Sequence, residues 1–173
     1  SDDPVRTRVL TSEGTMPFQD YFVRRQCEPG VTGFEFEGID TAEAQAGFAK
    51  SLTDPDLAAI VICPSNPYVS VDPIVHLPNI RTAIANCSAP VIAVSPIVAG
   101  RALKGPAAKM MMELGRPVNV LSIAEHYREL VDVLIIDAAD ADFSERIEDF
   151  GITAVAAATV MTSLDDKISL AHR

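Results

Sequence analysis

Small hydroxyl and amide side chains held between prolines are the first feature of this chain that could do chemistry. Ser65, Asn66 and Ser70 lie in the stretch C-P-S-N-P-Y-V-S-V-D-P, where Pro64, Pro67 and Pro73 restrict the backbone around them. Such a loop can present hydrogen-bond donors rigidly. A second proline-flanked turn follows at Ser95-Pro96. Lys104 and Lys109 bracket Gly105-Pro106, where proline predicts a helix start. Lysines beside a helix N-terminus suit an anion, and they suit a solvated surface equally well. Other chemistries are poorly served. There is no G-x-G-x-x-G, no Walker lysine loop and no zinc-type spacing of His or Cys. His76, His126 and His172 stand alone and read as surface or structural residues. Asp137, Asp140 and Asp142 read as turn and helix-cap residues ahead of a Mg²⁺ cluster, and Met110, Met111 and Met112 as core packing.

The elements that must position these residues alternate between strand and helix. Leu57 to Cys63 is an unbroken apolar run, long enough for a buried strand and ended by Pro64. P-V-I-A-V-S-P, from Pro90, is a second such strand. In open α/β sheets ligands bind at the carboxyl ends of strands, so the two polar turns are expected to line one pocket. Upstream, residues 2–10 suit a half-exposed strand ended by Gly14. Phe18 to Arg25 reads as a short helix whose Arg24 and Arg25 complement the dipole. A strand at Phe34 to Glu37 and a helix at Ala42 to Leu52 would complete a β-α-β crossover into the Leu57 strand. Downstream, helices are expected at 80–86, 106–115, 123–130 and 143–150, and strands at 131–136 and 152–158. Ser163 would cap a final helix. The resulting expectation is one α/β domain over 1–173, doubly wound with a mainly parallel sheet and helices on both faces, Rossmann-like.

Composition narrows the function classes. The chain has 173 residues, 48% of them hydrophobic, enough to fill a core without disulfide or metal staples. A formal charge of −10 argues against general nucleic-acid binding but leaves room for a local cationic pocket. No apolar run approaches the roughly 20 residues of a membrane helix. Cys27, Cys63 and Cys87 are scattered and odd in number, which points to a reducing, cytoplasmic setting. The sequence opens at Ser1 without methionine, which suggests a processed chain or part of something larger.

Four spaced segments carry a more specific signal: D-D-P-V-R-T, P-F-Q-D-Y-F-V-R-R, C-P-S-N-P-Y-V-S-V-D-P-I and V-S-P-I-V-A-G-R-A-L-K-G-P-A-A-K-M-M. In this order they resemble the 2-phospholactate transferase family of deazaflavin-coenzyme biosynthesis. The resemblance runs over the whole chain but covers only the C-terminal portion of such an enzyme, and the family's glycine-rich nucleotide loop is not in it. It implies a phosphotransferase that moves a phospholactyl or phosphoenolpyruvyl group from a guanosine diphosphate conjugate to the deazaflavin precursor, with Mg²⁺ and release of GMP. It implies that Ser65, Asn66, Ser70 and Ser95 contact phosphate or base. Lys104 and Lys109 would balance diphosphate charge, and Arg6 and Thr7 would lie beside the acceptor. Asp2 or Asp3 would take the acceptor proton, although Asp-Asp-Pro also reads as a strand-initiating turn. The metal ligands stay unassigned, a homodimer is compatible with the reading, and this chain by itself is expected to be incomplete for turnover. Ala99 departs from the glycine expected in the family's V-G-G turn, and Ala158 stands where an acid would be unsurprising. The rival implied function is a non-catalytic, nucleotide-conjugate-binding regulatory module. A plain α/β domain with structural proline loops is the third reading.

Overall fold

Polar and apolar side chains alternate through the first strands of the computed structural model, which describes residues 1–172 and divides into two compact units. The first unit comprises Ser1–Leu57, Asn66–Ser88 and Gly105–Pro117. In it β1 (Arg6–Thr11), β2 (Gly14–Pro17) and β3 (Val31–Glu37) form an antiparallel sheet in the order β2-β1-β3. One face turns inward with Val9 and Val31, at 0% and 2% exposure, while the other carries the ion pair Arg8 Nε to Glu37 Oε2 at 2.7 Å. That pair is a diagonal neighbour across the ladder, since Arg8 itself faces Glu35. Gly14 does not end the strand system as the sequence suggested. With φ +113 it turns the chain into β2, and Thr11 Oγ1 ties the hairpin by donating to the Gly14 carbonyl at 2.7 Å.

Helical segments pack in the same unit. Asp20–Arg24 forms a wide π-helical turn that buries Tyr21 and leaves Phe22 exposed. Three short helices follow, α1 (Ala46–Ser51), α2 (Asp72–Val75) and α3 (Ile80–Ala85), and then α4 (Ala107–Glu113). Met110 and Met111 are fully buried, as expected of core residues, whereas Met112 is 62% exposed because one more residue turns it off the buried face. The stretch after Pro64 is more regular than a loop. Pro67–Val71 is helical and runs directly into α2. Pro67 sits where its missing N–H costs nothing, and Asn66 Oδ1 accepts from Tyr68 N at 3.0 Å.

The second unit comprises Ala58–Ser65, Ala89–Lys104 and Val118–Arg173, described here to residue 172. Four strands, β4 (Ile60–Ile62), β5 (Val91–Val94), β8 (Val133–Asp137) and β9 (Thr153–Ala157), form a parallel sheet in the order β4-β5-β8-β9. Between them lie the hairpin β6 (Ile97–Val98) and β7 (Arg101–Ala102), α5 (Val120–His126) and α6 (Ser144–Glu148). Ala93, Leu134, Ile136, Ile123 and Ile147 are fully buried and make the core. The last helix, α7 (Leu164–Ala171), starts at the capping box predicted from Ser163, with Asp166 as the reciprocal partner.

Parallel strands linked through helices give the α/β, Rossmann-like arrangement expected from the sequence. One crossover differs. β3 pairs antiparallel with β1, so the segment from β3 through α1 to β4 joins two sheets and is not a β-α-β unit. The residues explain this, because β3 alternates Phe34 and Phe36 with Glu35 and Glu37, the signature of a sheet with one wet face. Among the described residues no helix is long and apolar enough to cross a membrane.

Candidate functional site

β2 ends at Pro17, opposite Arg8, so the start of β1 runs on past its partner. The chain leaves the sheet at Phe18, and the result is a hollow of about 470 Å³ walled by Val5, Arg6, Thr7 and Arg8 on one side and by Pro17, Phe18 and Gln19 on the other. Arg8 is engaged by Glu37, whereas Arg6 is exposed and forms no ion pair among the described residues. Phe18 stacks on Phe22, with ring centroids 5.6 Å apart and planes 15° from parallel. A guanidinium, a hydroxyl and an amide beside an aromatic pair suit a ligand that is flat at one end and hydroxylated or anionic at the other. The structure thus brings Arg6 and Thr7 into one cavity. Gln19 was not singled out from the sequence, and Phe18 only as an apolar residue of the short helix expected from Phe18 to Arg25, although both lie in the P-F-Q-D-Y-F segment.

The two N-terminal acids differ. Asp3 accepts from Glu43 N at 2.8 Å through Oδ2, and its own N–H donates to Ser1 Oγ at 3.0 Å, which is turn chemistry. Asp2 is exposed.

Lys109 is held within its own unit. Its Nζ donates to Glu113 Oε1 at 2.5 Å, to the Pro29 carbonyl at 3.1 Å and to Tyr21 Oη at 3.4 Å. Glu113 in turn accepts from Val31 N at 2.9 Å through Oε2, so this pair on α4 pins the turn that leads into β3. Burial disfavours the charge on Lys109, but the bonds to Glu113 and Tyr21 outweigh it and its pKa lies above the usual lysine value. Burial also raises the pKa of the Tyr21 hydroxyl and the Cys27 thiol, with Lys109 opposing both. The Lys109–Glu113 spacing of four on a helix was a readable signal for this pair.

The remaining candidates divide between the units. Asn66 reaches α4, where its Nδ2 lies 3.2 Å from Met110 Sδ, and Ser70 is exposed on the helical turn behind it. Ser65, Ser95 and Lys104 belong to the second unit. Ser65 is half-buried and Lys104 exposed. Ser95 is 3% exposed, and its hydroxyl closes its own turn, accepting from Ile97 N at 3.1 Å and donating to Ile97 O at 3.0 Å. The acids after β8 act as caps. Asp137 accepts from Ala139 N at 3.0 Å and from Thr159 N and Oγ1 at 2.9 and 3.0 Å. Burial works against this carboxylate, yet those bonds hold its pKa below the usual aspartate value. Asp140 accepts from Ala99 N at 2.8 Å. No group of three or more His, Cys, Asp or Glu able to hold a metal occurs among the described residues.

Comparison with known proteins gives this geometry a family. The family model described as "2-phospho-L-lactate transferase CofD" matches residues 1–162. The chain is 37% identical over 172 residues to the 2-phospho-L-lactate transferase of Methanosarcina acetivorans, covering 99% of this chain and 55% of that protein. It is 38% identical over 165 residues to the Methanococcoides burtonii protein of the same name, covering 95% of this chain and 53% of that one. The matched stretch is the C-terminal part of these proteins, so the chain spans about half the length of its relatives. A solved UPF0052-family protein from Bacillus halodurans shares the fold, with a TM-score of 0.63 at 13% identity over 99% of this chain and 59% of that one. The four motifs read from the sequence and this match from residue 1 to residue 162 agree: the chain belongs to the 2-phospho-L-lactate transferase CofD family.

Proposed function

We propose that this chain forms the acceptor-binding part of a transferase that moves a phospholactyl or phosphoenolpyruvyl group from a guanosine diphosphate conjugate to the deazaflavin precursor. The observation that carries the reading is the cavity at the start of β1, in a chain of this family. Phe18 would stack against the flat ring of the acceptor, and Arg6, Thr7 and Gln19 would hold its hydroxylated end. In the transfer the acceptor oxygen bonds to phosphorus, the bond from phosphorus to the GMP oxygen breaks, and the acceptor proton passes to a carboxylate. Asp2 is the better candidate for that proton, since Asp3 is committed to the Glu43 amide. Lys104, exposed ahead of α4, would balance charge on the diphosphate. Mg²⁺ held on the diphosphate would neutralise part of its charge.

The cavity lies within one unit, so acceptor binding can be read on the chain itself. Titrating the chain into the fluorescent deazaflavin precursor should quench the emission, and Arg6→Ala and Phe18→Ala should each weaken binding about tenfold or more, the cost of one charge-assisted contact or one stacked ring. Quenching that neither substitution alters would refute the assignment to this cavity. Incubating the chain with the guanosine conjugate, the precursor and Mg²⁺ should yield no GMP above a blank, because the chain spans about half of its relatives' length.

A further inference from the structure

The hairpin of β6 and β7 is too small to hold its own shape. Its strands pair only Ile97 with Ala102 and Val98 with Arg101, and the turn between them is Ala99-Gly100. Both turn residues are left-handed, at φ +47 and +73. Two positive φ angles give the tight turn that matches the twist of paired strands, and glycine meets that demand at Gly100. Ala99 does not, because in this conformation its Cβ crowds the following carbonyl. Isolated two-stranded hairpins are marginal in water, so a strained one has to be held from outside.

Asp140 supplies the hold. It lies in the 3-10 turn Ala138–Phe143 that follows β8, and it is 3% exposed. Its Oδ2 reaches out of that turn to accept from Ala99 N at 2.8 Å, 41 residues away along the chain. A buried carboxylate is costly, and this one is directed at a single amide of an exposed turn. The root of the hairpin is fixed separately, by the fully buried Ile97 and by the Ser95 hydroxyl bonded to it. Asp140 therefore governs the tip. Arg101 follows the tip directly and Lys104 comes three residues later. Both are exposed and neither enters an ion pair among the described residues, in a chain whose formal charge is −10.

We propose that Asp140 is a positioning residue for anion binding: by holding Ala99 N it fixes the left-handed turn, and with it the course of the segment that presents Arg101 and Lys104 to a diphosphate. The role rests on the reading above in which Lys104 balances diphosphate charge. Asp140 acts through Ala99 and does not touch the ligand.

The test titrates GDP by calorimetry, at fixed ionic strength, into a protein spanning the relatives' full length. Asp140→Ala should weaken binding about tenfold, whereas Asp140→Asn, which keeps an acceptor for the Ala99 amide, should stay within about threefold of the parent. Ala99→Pro is made on an exposed residue, removes the donor and excludes a positive φ, and it should also weaken binding about tenfold. The double variant should lose no more than Ala99→Pro alone, because both changes act on one bond, while a general loss of packing at Asp140 would add to it. Should Asp140→Ala prove unfolded by circular dichroism, Ala99→Pro decides alone, by that loss or its absence. Parent-like affinity in Asp140→Ala and Ala99→Pro, or additive losses in the double variant, would overturn the positioning role. Lys104→Ala separates this from the reading beneath it. If Lys104→Ala weakens binding while the other two variants do not, only the positioning role fails; if Lys104→Ala binds as the parent does, the diphosphate site fails and the proposal with it.

Discussion

Replacing Lys109 with methionine keeps the apolar stem and removes the ammonium, which separates a structural clamp from an anion ligand. The structure sets the magnitude. The Lys109–Glu113 pair has side chains 32% and 26% exposed, so solvent screening limits it to about 0.5–1 kcal/mol. The Pro29 carbonyl belongs to a buried residue and loses a donor at 3.1 Å, a further cost of about 1–2 kcal/mol. The contact to Tyr21 Oη at 3.4 Å is long and adds little. Lys109→Met should therefore destabilise the chain by about 1.5–3 kcal/mol. With no tryptophan present, urea unfolding is best followed by far-ultraviolet circular dichroism, where the midpoint should fall at unchanged slope. Glu113→Gln keeps an acceptor for Val31 N, so the double variant should lose less than the sum of the single ones. The sign with pH follows from the raised lysine pKa: the contribution is complete below the unfolded lysine value and disappears as pH rises through the folded one. A loss below about 0.5 kcal/mol, the range of solvated surface residues, would refute the clamp.

Other positions give equally direct tests. Lys104→Ala, in a protein spanning the relatives' full length, should weaken GDP binding about ten- to a hundredfold by calorimetry at fixed ionic strength and leave stability unchanged; equal affinities would return Lys104 to the solvated surface. Ala99 sits at φ +47 in the β6–β7 turn, so Ala99→Gly should stabilise the chain by about 0.5–1 kcal/mol in thermal unfolding, and a loss of stability would contradict the left-handed turn. The Thr162 hydroxyl and amide, with Ser163, hold the Asp166 carboxyl at about 2. The capping contribution of Asp166 is then present above the ordinary aspartate range and lost as pH falls through about 2. A carboxyl-carbon titration by magnetic resonance with its midpoint at the ordinary value of 3.8 would refute this.

The elements that were legible in the sequence are those whose signal is local. The apolar runs of β5 and β8, the proline and glycine bounds of α4 and the Ser163 cap each declare themselves within a few residues. The helical segments Pro67–Val71 and Asp72–Val75 were obscured because prolines and serines in and just before them mimic a loop, although Pro67 and Pro73 each occupy a first-turn position that tolerates proline. At the candidate site, Arg6 and Thr7 share a cavity, but its wall depends on where β2 stops, which is a matter of register that composition does not encode. The partners of Lys109 were hidden for a related reason, since Tyr21 and Pro29 are 88 and 80 residues away along the chain.

The division of the chain among its two units has a consequence for folding. Each unit is assembled from three separate stretches, and the backbone passes between them at residues 57–58, 65–66, 88–89, 104–105 and 117–118. Neither unit can be excised as one continuous segment. During synthesis from the N-terminus, the apolar run Leu57–Cys63 that contains β4 emerges well before its neighbour β5 and long before β8. Loop-closure entropy delays such distant pairings, so a nascent chain carries an uncovered apolar strand for much of its elongation. Aggregation during expression should accordingly originate there, and growth conditions that slow translation or supply chaperones should raise the soluble yield.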